Sequence, residues 1–199
     1  MAAAATSSIS SVSAILLYAL FFAGTHAEPT EAVTSEEVPS ILPVCKTVGG
    51  GSIFFDVQFC LEALGSDDRS ANAGVDYRTH SLIAVDLLTA NATTTAAKID
   101  GLLVREAGGG KDGEATATRC LRSCRALYGG VVQRQPGCAA AVRGRRDGEA
   151  TRCLERAASA AAECEEGFGK SKVTSPVTME NDDAFKLAKL AVALLSKAY

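Results

Sequence analysis

Seven cysteines, Cys45, Cys60, Cys120, Cys124, Cys138, Cys153 and Cys164, constrain this chain more than any other feature. Their meaning depends on the compartment, and the first residues bear on that. Ala14 to Ala23 is an unbroken apolar run of ten residues. As a helix it would span roughly 15 Å, about half a bilayer core, which is too short to cross a membrane. Thr25-His26-Ala27 follows, with small residues where a signal peptidase cuts, and then polar Glu28-Pro29-Thr30. No Lys or Arg precedes the run, so only the terminal amine is positive there. The expectation is a signal peptide over 1–27, a mature chain from near Glu28 without a membrane anchor, and an extracellular protein. In an oxidising compartment, cysteines are disulfide partners first and metal ligands second. An odd number leaves at least one free or paired between chains.

Residues 28–40 are acidic, contain proline and lack periodicity, which reads as a flexible leader before one domain over 41–199. Two short apolar stretches then flank Gly49-Gly50-Gly51-Ser52, each with one cysteine. A Cys45–Cys60 bridge would staple them into a hairpin, a loop closure worth about 3 kcal/mol on chain-entropy grounds. Helical spacing covers 76–107, with Leu82, Ile83, Val85, Leu87, Ile99, Leu102 and Leu103, ended by Gly108-Gly109-Gly110. It returns over 114–135, with Leu121, Cys124, Leu127, Tyr128 and Val131 on one face, stopped by Pro136-Gly137. A third helix, Ala-rich, is predicted over 149–168. A fourth is predicted to be capped by Asn181, with Asp182 and Asp183 in its first turn, and to run to about Ala198. Nothing alternates like strands, so the fold class is all-α, an antiparallel four-helix bundle. In such a bundle, facing residues of adjacent helices have position numbers with a near-constant sum. Cys124 with Cys164 and Cys138 with Cys153 both satisfy it, which leaves Cys120 free.

Twenty basic against 23 acidic residues, net −3, give no footprint of nucleic-acid binding. With His26 in the expected signal peptide, His80 is the one remaining imidazole, expected near a helix cap or at the surface. Cys120-x-x-x-Cys124 puts two thiols on one helix face but has no second cluster of zinc spacing. The glycine runs lack the Lys-Ser/Thr of a phosphate loop. Glu165-Glu166 and Asp182-Asp183 read as capping and solvated carboxylates. No catalytic residue, metal or cofactor is expected, and the chain is not read as an enzyme. Two local features stand out. Arg143-Gly144-Arg145-Arg146 is a basic cluster suited to an acidic partner surface, and Asn91-Ala92-Thr93 is a candidate glycosylation site. A binding protein is the first reading; a secreted carrier with a small-ligand cavity is the alternative.

Cys45 and Cys60 in an N-terminal hairpin, Cys124-x-x-x-Tyr128, and Cys164-x-x-Gly167-Phe168 together resemble the plant invertase/pectin methylesterase inhibitor domain. Ser175-Pro176-Val177-Thr178-Met179-Glu180-Asn181 before an apolar helix is similar to its pollen members and to those named as invertase inhibitors. The resemblance spans residues 41–199. It implies an N-terminal helical hairpin followed by an up-down bundle, with disulfides Cys45–Cys60 and Cys124–Cys164; a Cys138–Cys153 bridge is not a family feature. It further implies an apoplastic protein that binds a cell-wall enzyme 1:1 and occludes its cleft, the partner being pectin methylesterase or an acid invertase. Some invertase inhibitors carry Pro-Lys-Phe between the bundle's second and third helices. Here that stretch reads Arg145-Arg146-Asp147-Gly148-Glu149, which tips the expectation slightly towards pectin methylesterase.

Overall fold

The structure, a computed structural model, describes residues 41–106 and 112–198. The expected signal peptide and leader lie outside the described residues, as do Ala107 and most of the glycine-rich loop after it. The described residues form helices and no strand: α1 Leu42–Gly49, α2 Val57–Gly65, α3 Arg69–Ala73, α4 Tyr77–Glu106, α5 Asp112–Arg143, α6 Asp147–Lys170 and α7 Thr178–Leu195. Helices α4 to α7 pack in a closed ring, each against its neighbours in sequence and α7 back against α4. That is an up-and-down bundle. The short helices α1 to α3 form a hairpin on its side, touching α4 and α7.

Local sequence accounts for most of the boundaries. Asp56 caps α2 by accepting a hydrogen bond from the Phe59 amide at 2.8 Å. Asp147 and Glu149 lie in the first turn of α6 and Lys170 in its last, matching the helix dipole at both ends. The inner stripe of α6 is Ala150, Leu154, Ala157, Ala161, Cys164 and Phe168, all buried. Its alanines let α5 and α7 come close. Gly74 turns the chain from α3 into α4 with φ +54°, a conformation in which a Cβ would be strained.

Three disulfides lock these elements. Cys45–Cys60 joins α1 to α2, with Cα atoms 5.5 Å apart; Cys124–Cys164 and Cys138–Cys153 join α5 to α6, at 4.8 and 5.6 Å. With Cys124 bonded to Cys164, the thiol pair Cys120-x-x-x-Cys124 does not exist. Cys120 is free and buried, its Sγ 3.6 Å from Gly167 O and 3.4 Å from Ser171 Oγ.

Three expectations need correction. Helix α5 does not stop at Gln135 but runs through Pro136 to Arg143. Proline costs about 3 kcal/mol inside a helix, through a lost N–H bond and a clash with the preceding turn. Here Cys138 is bridged to α6, and Ala139, Ala141 and Val142 are buried, so tertiary anchoring outweighs that cost. Helix α7 starts at Thr178, and Asn181 is a buried residue inside it rather than its cap. Asp182 and Asp183 therefore lie beyond the first turn. His80 sits in the first turn of α4 but is buried, not at the surface; its Nε2 donates to Gly74 O at 2.9 Å.

Candidate binding surfaces

The α5–α6 turn carries the predicted basic cluster. Arg143 closes α5, Arg145 takes a left-handed φ of 53°, and Arg146 precedes α6; all three are exposed. Arg146 Nε donates to Glu149 Oε2 at 2.8 Å. Beneath them Arg78, from the first turn of α4, holds the turn in place. It donates to Val142 O at 2.9 Å, to both Asp147 oxygens at 2.6 and 3.1 Å, and to Ala198 O at 3.1 Å. One guanidinium thus fastens α4, the turn and the end of the chain after α7. It also holds the Asp147 carboxyl below the usual carboxylate range.

A second surface lies on the flank formed by α6, α7 and the hairpin. Between α6 and α7 is a groove of about 550 Å³, lined by Ala161, Ala162, Glu165, Met179 and Phe185 among others. Met179 is 78% exposed. Phe185 leaves the groove to meet Phe54 of the α1–α2 loop edge-on, centroids 5.8 Å apart. Lys189 Nζ lies 4.6 Å from the Phe54 ring centroid and pairs with Glu155. Ile53, next to Phe54, is 90% exposed. Exposed Ile53, Phe54 and Met179 with half-buried Phe185 give this flank an apolar character, interleaved with charged side chains, of the kind that marks binding surfaces.

The floor of this flank is a polar network that runs from buried Tyr128 and Asn181 out to half-buried Glu165 and exposed Thr178. Tyr128 OH donates to Asn181 Oδ1 at 2.7 Å, and Asn181 Nδ2 donates to Glu165 Oε2 at 2.6 Å. Thr178 Oγ1 donates to the other Glu165 oxygen at 2.7 Å. The network ties α5, α6 and α7 together. Burial, with the carboxylates of Glu180, Glu165 and Asp183 nearby, pushes the Tyr128 phenol up, so it stays a donor. Burial also opposes ionisation of Glu180, but the Lys98 ion pair prevails and keeps that carboxyl low. Asp183 is raised by burial and by Asp182 beside it.

These two surfaces are not neighbours along α7. Arg78 binds beyond the C-terminal end of that helix, whereas Met179 is at its start, and 18 residues separate helix ends by roughly 25 Å. Asn91 is elsewhere again. It lies mid-way along α4, half-buried beside Phe59, Leu87 and Leu187, with its Oδ1 3.4 Å from Thr95 Oγ1. The α6–α7 flank was not read from the sequence. Tyr128 and Asn181 were both quoted there, one as a core residue and one as a cap, and nothing linear connects them to Glu165. Among the described residues no group of three or more His, Cys, Asp or Glu is placed to hold a metal ion, and no helix is long and apolar enough to cross a membrane.

A disulfide-locked four-helix bundle, with a hairpin on its side and an exposed apolar flank on a rigid floor, is built as a protein-binding module. The chain belongs to the plant invertase/pectin methylesterase inhibitor family, whose model matches residues 41–194. Members of that family are inhibitors rather than enzymes. The fold is similar to the crystal structure of a mutant form of a pectin methylesterase inhibitor from Arabidopsis, with a TM-score of 0.62 and 16% identity, covering 80% of this chain and 97% of that one. A search of curated proteins finds no match.

Proposed function

We propose that this protein is secreted into the plant cell wall and inhibits a pectin methylesterase by binding it 1:1 and covering its cleft. Family membership over 41–194 carries the reading. The structural similarity to a pectin methylesterase inhibitor supports that target. So does the α5–α6 turn, which presents arginines where some invertase inhibitors present Pro-Lys-Phe. The enzyme-facing surface is the α6–α7 flank with Phe54, Met179 and Phe185. A stable complex of this kind buries about 1,200–2,000 Å² in total, with the energy concentrated in a few central side chains. Disulfides and the Tyr128–Asn181–Glu165 network keep that surface ordered before binding, which lowers the entropy cost of association. Arg143, Arg145 and Arg146 form a secondary contact to an acidic part of the enzyme surface, and Asn91 is a glycan acceptor.

The test is a titration of oxidised mature protein against a plant pectin methylesterase and an acid invertase at mildly acidic pH. Saturable inhibition of the first near equimolar ratio is expected. Inhibition of the invertase alone would transfer the assignment to that enzyme, and inhibition of neither by folded protein would overturn it. Met179→Glu is expected to weaken inhibition by about 10-fold or more, as for a central interface residue. Charge reversal at Arg143 and Arg145 is expected to weaken it mainly at low salt.

A further inference from the structure

The outer face of α5 and α6 carries a charge pattern that the apolar flank does not explain. From Arg119 to Arg156 the chain has nine arginines, no lysine and three carboxylates, in a protein of net charge −3. All three carboxylates are taken: Asp147 by Arg78, Glu149 by Arg146, and Glu155 by Lys189. Arg134, Arg152 and Arg156 are exposed, have no carboxylate partner among the described residues, and line one groove of about 450 Å³ across the two helices; the one carboxylate in its lining, Glu149, is the partner of Arg146. Arg152 and Arg156 stand one helical turn apart, on the same face. The groove is rigid, because Cys153 lies in its wall, bridged to Cys138, with its Sγ 3.9 Å from Arg134 O.

We propose that this groove binds carboxylate-bearing stretches of an acidic polysaccharide, de-esterified pectin in the wall setting; that identity of the polymer rests on the function proposed above. Three guanidinium groups against the single, already paired carboxylate of Glu149 leave the groove with an excess of positive charge, which attracts anions. The planar fork of arginine matches a carboxylate through two parallel hydrogen bonds, which a lysine ammonium does not. A polyuronate presents one carboxylate per sugar, so neighbouring arginines are engaged by one chain, and Gln133 offers an amide to the sugar hydroxyls. No aromatic side chain lines the groove, so it offers no platform for stacking nucleic-acid bases. Methyl esters remove the negative charge. The groove therefore discriminates demethylated from methylated polymer and retains the inhibitor where its target has already acted.

The test titrates oxidised mature protein with polygalacturonate, with fully methyl-esterified pectin and with single-stranded DNA at low salt. Expected are binding of polygalacturonate, little or none of the esterified polymer, and weaker binding of DNA. The variant R134Q/R152Q/R156Q is expected to lose about 10-fold or more in polygalacturonate affinity, as for loss of charge-assisted hydrogen bonds. A variant with the same charge change on exposed lysines elsewhere, K46Q/K172Q/K197Q, is expected to change by less than about twofold. Equal binding of both pectins, no binding of either, equal loss in both variants, or DNA bound as tightly as polygalacturonate would overturn the proposal. Enzyme inhibition is measured on the same preparations at high salt, so that failure of the groove and failure of the inhibitor reading are told apart.

Discussion

Asn181 shows how a single buried residue ties three helices together beneath a surface. Its amide is one of the few polar side chains buried in this core, and both ends of it are satisfied, by Tyr128 and Glu165. Removing the Tyr128 hydroxyl leaves Asn181 Oδ1 without its donor. Tyr128→Phe is expected to destabilise the fold by about 1–2 kcal/mol, read from urea denaturation, the cost of an unsatisfied buried acceptor. Asp147 makes a pH-dependent contribution. Its folded pKa lies below the unfolded value because Arg78 binds the carboxylate. The resulting stability is present above the unfolded pKa and is lost as pH falls through the folded one. Asp147→Asn is therefore expected to lower the denaturation midpoint at about pH 6, and the difference is expected to shrink as the pH falls below the ordinary aspartate range and wild-type Asp147 is protonated. A variant gap that stayed constant across that range would refute the role. None of these partnerships was legible in the linear sequence. Asn181 precedes two aspartates just as a capping residue would, and only the fold brings Tyr128 and Glu165 to it.

At the scale of elements, the periodic interiors were readable and the ends were not. The stripe Leu121, Cys124, Tyr128 and Val131 marked α5 clearly, since an apolar face every three to four residues has no other good use. Its end was misplaced because Pro136 is a strong local stop, overridden here by a crosslink two residues on and by burial of the following turn. That conflict has a measurable size. Pro136 is exposed, and Pro136→Ala restores one helical hydrogen bond and relieves the ring clash. It is expected to stabilise the protein by about 1–3 kcal/mol, against a nominal helix-interior penalty near 3 kcal/mol, by thermal or urea unfolding. A loss of stability would mean that the ring itself packs against something the helix needs. The hairpin was legible as two short pieces around a glycine breaker. The exposure of Ile53 and Phe54, and the meeting of Phe54 with Phe185, was not, because exposure is decided by which helix lies opposite.

For the molecule as a whole, the bundle separates three surfaces by chemistry: an apolar flank on α6–α7, an arginine groove on α5–α6, and a turn fastened by Arg78. All three depend on α5 and α6 being in one register, which Cys124–Cys164 and Cys138–Cys153 hold once both have formed. Cys120 lies one helical turn before Cys124, on the same face, so in the reduced chain both thiols are presented to Cys164. Cys120→Ala is expected to give fewer disulfide isomers and faster recovery of native protein during oxidative refolding, followed by chromatography of trapped intermediates. Unchanged isomer populations would remove Cys120 from the competition. A Cys120–Cys164 bond would require α5 to slip by about one turn against α6, which would carry Tyr128 away from Asn181 and is incompatible with Cys138–Cys153. Reversal of that isomer needs the Cys124 thiolate to attack Cys164 of the Cys120–Cys164 bond, which forms Cys124–Cys164 and releases Cys120 as a thiol. In the native fold that thiol is buried against Gly167 and Ser171 and withheld from further exchange. The seventh cysteine is thus a competitor while the chain is reduced and a bystander once it is folded, and Asn181 on α7, paired with Tyr128 and Glu165, favours the register in which the native bond forms.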